Sequence, residues 1–341
     1  MRLLVHEWCC SGGLSGADAA LVGAAAAILP EARAMFRALL ADARRVPELD
    51  VVAVIDEGLT LDLPAGIAPW PVPPGRELDV LAAAAATADA ALVVAPETGG
   101  ILARRVAAVQ NAGGRPLACD PAFITIAADK QATALALAAA GVPVPAGRSL
   151  EPGAAWPPEF FRPAIRKRRD GVGGDGLLFI EPGTPTPPPA HDATRIEAFV
   201  TGLPVGVSLI CDAGRARPVA VLEQVFDPAT PGSYRGGRTV AAPAARHRAA
   251  WLARRAIAAL ERAAGAAARG WVGVDMILGD REDGRADRVL EVNPRLTTAF
   301  VGLAARSATS LVAAMLAPDT LPCPAAGLVP CAVDFRIGTD A

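Results

Sequence analysis

"IRKRRDGVGGDG", at residues 165–176, contains a glycine-rich run that matches the dinucleotide-binding pattern GxGxxG. In dinucleotide-binding folds this pattern lies between a strand and a helix, so that the pyrophosphate meets the helix N-terminus. Here the residues that follow, "LLFIE" at 177–181, are strand-like. The pattern therefore predicts a β-hairpin with a glycine-rich turn, whose backbone N–H groups could cover phosphates as a lid. A plain hairpin turn is the structural alternative.

Lysine is rare in this chain: of its 33 basic residues only Lys130 and Lys167 are lysines, and the others are arginines. Lys167 lies just before the glycine-rich turn, and Lys130 lies at the start of a helix predicted over 129–145. A lysine ammonium group is a compact, mobile point charge, which suits it to follow a phosphate. Both lysines are therefore predicted to bind phosphate. The alternative is an ordinary surface charge at each position.

Length, charge and composition exclude several classes of protein. A chain of 341 residues is too long for one ordinary core, which predicts two or three subdomains. The longest apolar run, at 19–29, is too short to cross a bilayer, and no secretory signal is recognisable, so we expect a cytoplasmic protein without membrane contact. The net charge of −2 argues against a nucleic-acid partner. Six scattered cysteines and three histidines show no zinc-ligand spacing, and GxSxG is absent.

Strand and helix signals alternate over the first 120 residues, with buried-type strands at 2–8 and 49–56 and a helix at 31–45. This alternation predicts a parallel, doubly wound α/β sheet. From about residue 195 consecutive strands follow, and a strand pair closes the pattern, which predicts an α+β unit. The intervening "TPGSYRGGRTVAAP", within 227–243, is predicted to be a long flexible loop.

Acidic and amide side chains interrupt the last two predicted strands. "VDMIL" contains Asp275, and "LEVNPR" contains Glu291, Asn293 and Arg295. Residues i and i+2 of a strand point to the same face, so the last three should form a row that Asp275 can face from the neighbouring strand. Oxygen ligands of this kind suit Mg²⁺ that bridges nucleotide phosphates, and Arg295 could bind a carboxylate or an acyl phosphate. A salt-bridged sheet face is the structural alternative.

Several motifs in this order resemble those of the ATP-grasp superfamily over roughly residues 120–305. "AADKQATALALAAAGVPVP" resembles the segment with the first phosphate-binding lysine, and "PAIRKRRDGVGGDG" resembles the segment with the second. "IEAFVTG" resembles the linker that hydrogen-bonds adenine. The resemblance implies ATP and one or two Mg²⁺ ions, with Mn²⁺ as an alternative metal. The implied nucleotide ligands are Lys130, Lys167, Gly173, Gly174, Glu197, Phe199 and Val200; the implied metal ligands are Asp275, Glu291 and Asn293; and the implied catalytic residue is Arg295.

The same resemblance implies an ATP-grasp fold, α/β and α+β, with an N-terminal Rossmann-like pre-ATP-grasp domain. We expect that domain at 1–121, a lid subdomain with the glycine-rich hairpin at 122–196, and a C-terminal subdomain with the magnesium-binding strands at 197–341. One departure concerns the ribose, because Pro204 lies near the position where many members have an acidic residue. Arg168 also stands where members often have proline.

Within the superfamily, the chain most resembles the tyramine–glutamate ligase group of methanofuran-type cofactor biosynthesis. The segments concerned are "LPEARAMFRALLADA", "ALVVAPETGGIL", "CDPAFITIAADK" and "EVNPRLTTAFVGL". This resemblance implies ATP-dependent γ-glutamyl amide formation, with glutamate as the carboxylate and an amine as the second substrate. Exposed alanine-rich helices would also permit a homodimer.

Three hypotheses about function follow from these residues. The leading one is a carboxylate–amine ligase that forms an acyl phosphate, and the others are a kinase for a hydroxylated metabolite and a non-catalytic ATP-binding module. A dehydrogenase is a distant fourth, because the glycine pattern lacks its helix. Tyr234, in the 227–243 segment, is a candidate for the acceptor pocket, and His6 and Glu7 are candidates for contact with the amino-acid substrate.

Overall fold

A parallel sheet is the first of three β-sheets in the computed structural model, which describes residues 1–15, 19–160, 162–171, 174, 176–229, 232–318 and 334–336. Its strand order is β3-β2-β1-β4, and every neighbouring pair is parallel. Three of the strands are almost wholly buried, as parallel strands covered on both faces should be, although the first of them buries the polar residues His6 and Glu7. The strands are β1 (Arg2–Glu7), β2 (Asp50–Asp56), β3 (Ile67–Val72) and β4 (Ala90–Val94).

The sequence did not predict β3, "IAPWPV", because Pro69 and Pro71 interrupt its strand signal. A proline cannot donate to a strand ladder, which restricts it to sheet edges. The structure places β3 at the edge of the parallel sheet, where it pairs with β2 alone.

Three helices accompany the parallel sheet: α1 (Ala19–Ala43), α2 (Glu77–Ala85) and α3 (Ile101–Asn111). The first begins well before the predicted 31–45 and continues across Pro30. Its apolar face is the predicted one, since Phe36 and Leu39 are fully buried. A short 3-10 turn, Thr98–Gly100, leads into α3.

The second sheet is antiparallel and contains the predicted glycine-rich hairpin. Its order is β5-β8-β6-β7. Strands β6 and β7 flank the glycine-rich turn and pair antiparallel with each other. The predicted boundary at 196/197 falls inside β8, whose hydrogen bonds to β5 and β6 continue past that point. We therefore propose that this subdomain ends two residues later. The strands are β5 (Gly147–Leu150), β6 (Ala164–Arg168), β7 (Leu178–Ile180) and β8 (Thr194–Ala198), and the preceding helices are α4 (Pro121–Ala128) and α5 (Lys130–Ala139).

The third sheet is also antiparallel and has the order β13-β12-β9-β10-β11-β14. Helix α6 packs on several of its strands, and their apolar contacts form one core with α4 and α5. Its strands are β9 (Leu203–Asp212), β10 (Arg215–Phe226), β11 (Tyr234–Thr239), β12 (Arg269–Leu278), β13 (Arg288–Asn293) and β14 (Asp334–Arg336), and the remaining helices are α6 (Pro243–Ala264), α7 (Ala299–Arg306) and α8 (Leu311–Leu316).

The prediction of a long flexible loop over 227–243 was wrong, because β11 occupies its centre and pairs with β10 and β14. Gly236 and Gly237 concealed the strand, since glycine has little β-propensity. Gly236 is required there: its φ is +145°, and a Cβ would lie 2.1 Å from the Phe335 carbonyl oxygen.

Among the described residues, no helix is both long and apolar enough to span a bilayer. Four of the six cysteines, Cys9, Cys10, Cys119 and Cys211, are free thiols and buried. Burial raises the pKa of each of these thiols, which keeps them protonated.

A buried carboxylate, Asp42 of α1, joins α1 to the C-terminal helices. It accepts hydrogen bonds from the Ser310 hydroxyl (2.9 Å) and the Val312 amide (2.8 Å). We expect Asp42→Ala to lower the free energy of unfolding by about 1–3 kcal/mol, because it leaves the buried Val312 amide without its acceptor and leaves Ser310 only the Asp42 backbone carbonyl. Chemical denaturation measures this change. Asp79→Ala, which removes an exposed carboxylate paired with Arg76, is the matched control and should change stability by less than about 0.5 kcal/mol; equal effects from the two variants would contradict the assignment.

Candidate active site

Two carboxylates face each other across the β12–β13 pair, where Asp275 lies directly opposite Glu291. Both oxygens of Asp275 accept hydrogen bonds from amides: Gln224 Nε2 donates to Oδ1 and Asn293 Nδ2 donates to Oδ2, each at 2.9 Å. The intervening strand β9 has Gly206 at this point, and a Cβ there would lie only 3.3 Å from both Asp275 Oδ1 and Gln224 Nε2. The glycine therefore gives Gln224 of β10 the space to reach Asp275.

The two carboxylates have different proton affinities. Burial, together with the negative charge of Glu291, raises the pKa of Asp275 to about 7. Burial also acts to raise the pKa of Glu291, but the positive charges of Lys130 and Lys167 outweigh it, and the pKa lies below its usual value. At neutral pH Glu291 is ionised. A further positive charge at the site would lower the pKa of Asp275, so that Asp275 would ionise as well.

The donor set fits Mg²⁺ held jointly with a ligand. Among the described residues no group of three or more His, Cys, Asp or Glu side chains could hold a metal ion. Two carboxylates and one amide supply oxygen ligands, and Mg²⁺ is usually bound by one or two carboxylates together with phosphates and water. The protein therefore offers part of a coordination shell that phosphate oxygens can complete.

Lys130 reaches this acid pair from the first turn of α5. Its Nζ lies 3.3 Å from Glu291 Oε2 and donates to the carbonyl oxygen of Gly171, at the start of the glycine-rich turn. The backbone fixes the same junction, because the Lys130 amide donates to the Arg169 carbonyl at 2.9 Å. Asp129 caps the helix by accepting from the amides of Gln131 and Ala132. Lys130 thus lies between the acids and the glycine-rich turn.

Lys167, on β6, is buried, and its Nζ lies 2.7 Å from Glu197 Oε1. The other oxygen of Glu197 accepts from Arg195 Nε at 3.0 Å. The predicted ligands Lys167 and Glu197 are therefore partners of each other in this structure.

The segment after Glu197 is partly available to a ligand. The Phe199 side chain is 43% exposed and packs edge-on against Phe179, but its amide donates to the Pro163 carbonyl. Among the described residues, the next amide, that of Val200, donates to no backbone carbonyl. Of the two predicted linker amides, Val200 is therefore the one able to hydrogen-bond a base.

The glycine-rich turn is described in part, and Gly173 lies outside the described residues. Gly174 has a φ of +80°, and a Cβ on it would lie 3.0 Å from the Gly232 carbonyl oxygen. A left-handed conformation and a close backbone approach both require glycine at this position. The turn therefore contacts the segment just before β11.

Arg295 lies beyond the end of β13, and its Nε is 2.9 Å from each carboxylate oxygen of Glu97. Glu97 is buried and begins the "ETGG" segment after β4. The next residue, Thr98, donates to the Asp170 carbonyl at 2.7 Å, and the Gly99 amide donates to the Asp170 carboxylate at 3.2 Å. This segment therefore contacts both Arg295 and the base of the glycine-rich hairpin.

A small cavity of about 230 Å³, counted with its open mouth, is lined by several of these groups but not by Asp275, Lys167 or Arg295. One cation, Lys130, and two carboxylates, Glu97 and Glu291, line this cavity. Its lining residues are Glu97, Ala127, Ala128, Lys130, Gly171, Glu291, Val292 and Asn293.

The structure does not bring His6 or Glu7 to this cavity. His6 is fully buried and hydrogen-bonds Glu77 at 2.8 Å, and Glu7 is buried and accepts from the Cys10 amide. Neither is accessible to a substrate, so these candidates were wrong. Tyr234 remains a candidate, because the charge of Asp275 is close enough to help burial raise the pKa of its phenol.

Three residues of the site were missed from the sequence: Glu97, Gln224 and Arg195. Glu97 and Gln224 contact the predicted residues Arg295 and Asp275, and Arg195 contacts Glu197. Each of them is a charged or amide residue within a strand-like run or just after one. A polar residue in such a position was the sequence signal that could have indicated a role in the site. Pro204, noted at the ribose position, pairs within the sheet opposite Ile277.

The chain has a parallel α/β unit, an antiparallel lid sheet and a larger antiparallel sheet. Two lysines, each paired with a glutamate, lie near the acid pair where these parts meet. This is an ATP-grasp architecture. Two family profiles agree: the ATP-grasp domain matches residues 127–299 and the pre ATP-grasp 3 domain matches residues 49–124. The first match spans half of the chain, and the chain belongs to the ATP-grasp family.

Solved structures share this fold at low sequence identity. An ATP-grasp superfamily protein from Archaeoglobus fulgidus aligns with a TM-score of 0.68 and 19% identity over 97% of this chain and 89% of that chain. L-amino acid ligase from Bacillus licheniformis aligns at 0.62 and 13% over 92% and 72%. D-alanine–D-alanine ligase from Bacillus anthracis, complexed with ATP, aligns at 0.59 and 15% over 93% and 96%. No curated protein matches the chain in sequence.

The acid pair generates a prediction about metal binding and pH. Because the pKa of Asp275 is raised to about 7, the folded protein binds an extra proton between the unfolded value near 4 and about pH 7. The metal-free protein should therefore become more stable as the pH falls from about 8 to about 6, measured as Tm. Asp275→Asn should remove this gain and match or exceed the wild-type Tm at about pH 8.

In the same measurement, added Mg²⁺ should raise the Tm of the wild type and raise that of Asp275→Asn much less, because ligands that bind the folded state stabilise it. Asp79→Asn, at an exposed ion pair with Arg76, is the control and should respond as the wild type does. An equal Mg²⁺ response in Asp275→Asn would show that Asp275 does not bind metal.

Proposed function

We propose that this protein is an ATP-dependent ligase that joins a carboxylate to an amine through an acyl phosphate. The observation that carries the proposal is the approach of Lys130 to Glu291, with Asp275 and Asn293 beside them, at the base of a glycine-rich hairpin. This arrangement offers a cation for phosphate and oxygen ligands for Mg²⁺ at one place. The names of two similar structures, L-amino acid ligase and D-alanine–D-alanine ligase, support the ligase class.

We assign the nucleotide to the space between the second sheet, of strands β5 to β8 (the lid sheet), and the third sheet, of strands β9 to β14 (the large sheet). Lys130 and Lys167 would contact the phosphates, and the glycine-rich turn, with Gly173 and Gly174, would cover them. The adenine would lie against the segment after β8, where Val200 offers its amide and Phe199 offers an exposed ring. Glu197 lies between this segment and Lys167, so it would link base recognition to phosphate binding.

Asp275, Glu291 and Asn293 would hold one or two Mg²⁺ ions, with Mn²⁺ as an alternative. When bound, Mg²⁺ would neutralise charge on the phosphates of ATP and on the phosphoryl group that is transferred to the carboxylate. The chain's own residues supply the remaining positive charge through Lys130 and Lys167.

The reaction would proceed in two steps. A carboxylate oxygen of the first substrate attacks the γ-phosphorus of ATP, the bond to the bridging oxygen breaks, and ADP leaves. The neutral amine then attacks the acyl carbon, the C–N bond forms, the C–O bond to phosphate breaks, phosphate leaves, and the nitrogen gives up one proton to phosphate or solvent to become the amide. Arg295, held by Glu97, would bind the acyl phosphate oxygens, and the closed lid would keep water away.

For the substrates we propose L-glutamate and an aromatic amine, as in the tyramine–glutamate ligase group of C1-carrier cofactor biosynthesis. The supporting feature is the "PETGG" segment, which contributes Glu97 to the cavity and contacts the lid through Thr98. Tyr234 is the proposed aromatic contact for the amine, since its phenol lies near Asp275.

We also propose three subdomains, at 1–121, 122–198 and 199–341. A homodimer is a further proposal, which sedimentation would test.

The test is ADP release with ATP, Mg²⁺ and L-glutamate, with and without a panel of amines that includes tyramine, followed by mass spectrometry. We expect amine-dependent ADP release and the mass of a glutamyl amide. ADP release with a phosphorylated product and no need for an amine would indicate a kinase. ATP binding without turnover for any acceptor would indicate a non-catalytic module. Either result would contradict the ligase.

Single substitutions test the assigned roles. We expect Lys167→Ala and Glu291→Ala each to lower turnover by about 100-fold or more, as does the loss of one group that stabilises transition-state charge. Steady-state ADP release measures the effect. Arg166→Ala, on the same strand as Lys167, and Glu223→Ala, at an ion pair with Arg238, are controls that should retain near wild-type rates. Wild-type rates in the first two variants would remove those roles.

A further inference from the structure

Two cations lie directly opposite each other in the lid sheet. Lys167 of β6 is the cross-strand partner of Arg195 of β8, and both side chains are buried, with 8% and 3% exposed. Like charges directly opposite each other destabilise a sheet, so this pair requires a counter-charge. Glu197 supplies it: it lies two residues along β8, on the same face as Arg195, and contacts both cations.

Within ion-pair distance this cluster holds one more positive charge than negative charge; Glu291 also interacts with the charge of Lys167, but its ion-pair partner is Lys130. Two cations share one carboxylate, and the other groups in contact with Arg195 are neutral, namely the Gln131 amide oxygen and the Pro145 carbonyl. Buried charges are stable when paired, so the cluster is suited to bind an anion. It lies at the start of the glycine-rich turn, where the proposed nucleotide phosphates would provide that anion.

The two cations are held in different ways. Arg195 makes three hydrogen bonds to acceptors on three segments: Nε to Glu197 at 3.0 Å, Nη1 to Gln131 at 2.5 Å and Nη2 to Pro145 at 3.0 Å. A planar guanidinium bound at three points cannot turn without breaking several bonds. Lys167, by contrast, has Glu197 as its ion-pair partner within the described part of the chain, and its ammonium can rotate on a flexible stem.

We propose that Arg195 is a positioning residue for nucleotide binding, which acts on Lys167 through Glu197. Arg195 keeps Glu197 charge-balanced, so that Lys167 can leave it and bind a phosphate. Without Arg195, movement of Lys167 to the phosphate would leave a buried, unpaired carboxylate, which is costly. The inference rests on the proposed nucleotide site, and it holds for any ATP-dependent reaction.

The test measures the Kd of MgATP by calorimetry, without a second substrate. We expect Arg195→Gln to raise the Kd by about tenfold or more, because Glu197 then retains Lys167. Arg195→Lys, which keeps the charge, should recover part of the loss. The decisive measurement is a double-mutant cycle with Arg195→Gln, Glu197→Gln and the double variant: because Glu197→Gln removes the carboxylate that retains Lys167, the double variant should lose less affinity than the two single losses added together.

A purely structural role for Arg195 would give a different result, since the losses from two independent buried substitutions would add in the double variant. Unchanged affinity in Arg195→Gln, or losses from the two single substitutions that simply add in the double variant, would overturn the inference. Arg148→Gln, on the neighbouring strand β5 and exposed, is the matched control and should bind as the wild type does.

Two further outcomes are distinguishable. If Arg195→Gln does not fold, as judged by thermal melting, then Gln131→Ala removes only one of the three acceptors and should weaken MgATP binding by a smaller factor; wild-type affinity there would count against the inference. If wild-type protein binds no MgATP, the nucleotide site and this inference fail together. If it binds MgATP in this pattern but forms no amide, the ligase fails and the inference stands.

Discussion

The constraint on which the site depends is the close approach of two carboxylates, Asp275 and Glu291, on neighbouring strands of the large sheet. Two negative charges this close are unfavourable unless cations and hydrogen-bond donors surround them. Lys130 of α5 contacts Glu291, and the amides of Gln224 and Asn293 contact Asp275. The remaining deficit of positive charge favours a divalent metal. Helix α5 and the large sheet therefore supply the direct partners of the acid pair, and the lid sheet adds the charge of Lys167.

The chain uses lysine and arginine for different purposes at this junction. Arg195 and Arg295 are each fixed by a buried carboxylate and by backbone carbonyls, and a planar fork suits such fixed contacts. Lys130 and Lys167 contact acids through a single rotatable ammonium group. Their position beside the glycine-rich turn is consistent with groups that exchange a protein carboxylate for a phosphate. In this account, the rarity of lysine reflects the two positions at which mobility is required.

Much of the fold and part of the site follow from the sequence, because they depend on local patterns. The hairpin around the glycine-rich turn and the row of polar residues on β13 are consequences of strand periodicity. Among the strands that were missed, β3 and β11 were concealed because Pro69 and Gly236 weaken their local signal, although tertiary pairing stabilises them. The partners Glu97 and Gln224 contact residues 198 and 51 positions away, and no local pattern encodes such contacts. Sequence thus predicts which side chains share a strand face, and the structure is needed to show which distant groups balance their charges.

The most direct test of the proposed reaction follows an oxygen atom. L-glutamate labelled with ¹⁸O in its carboxylates, and in parallel a mixture of ¹⁸O-labelled amino acids, would be converted with ATP, Mg²⁺ and the amine that best stimulates ADP release. An acyl phosphate transfers one carboxylate oxygen to phosphorus, so we predict one ¹⁸O atom in the released phosphate, detected by mass spectrometry. Turnover that yields unlabelled phosphate, or a phosphate ester on a substrate hydroxyl, would contradict activation of a carboxylate and hence the ligase mechanism.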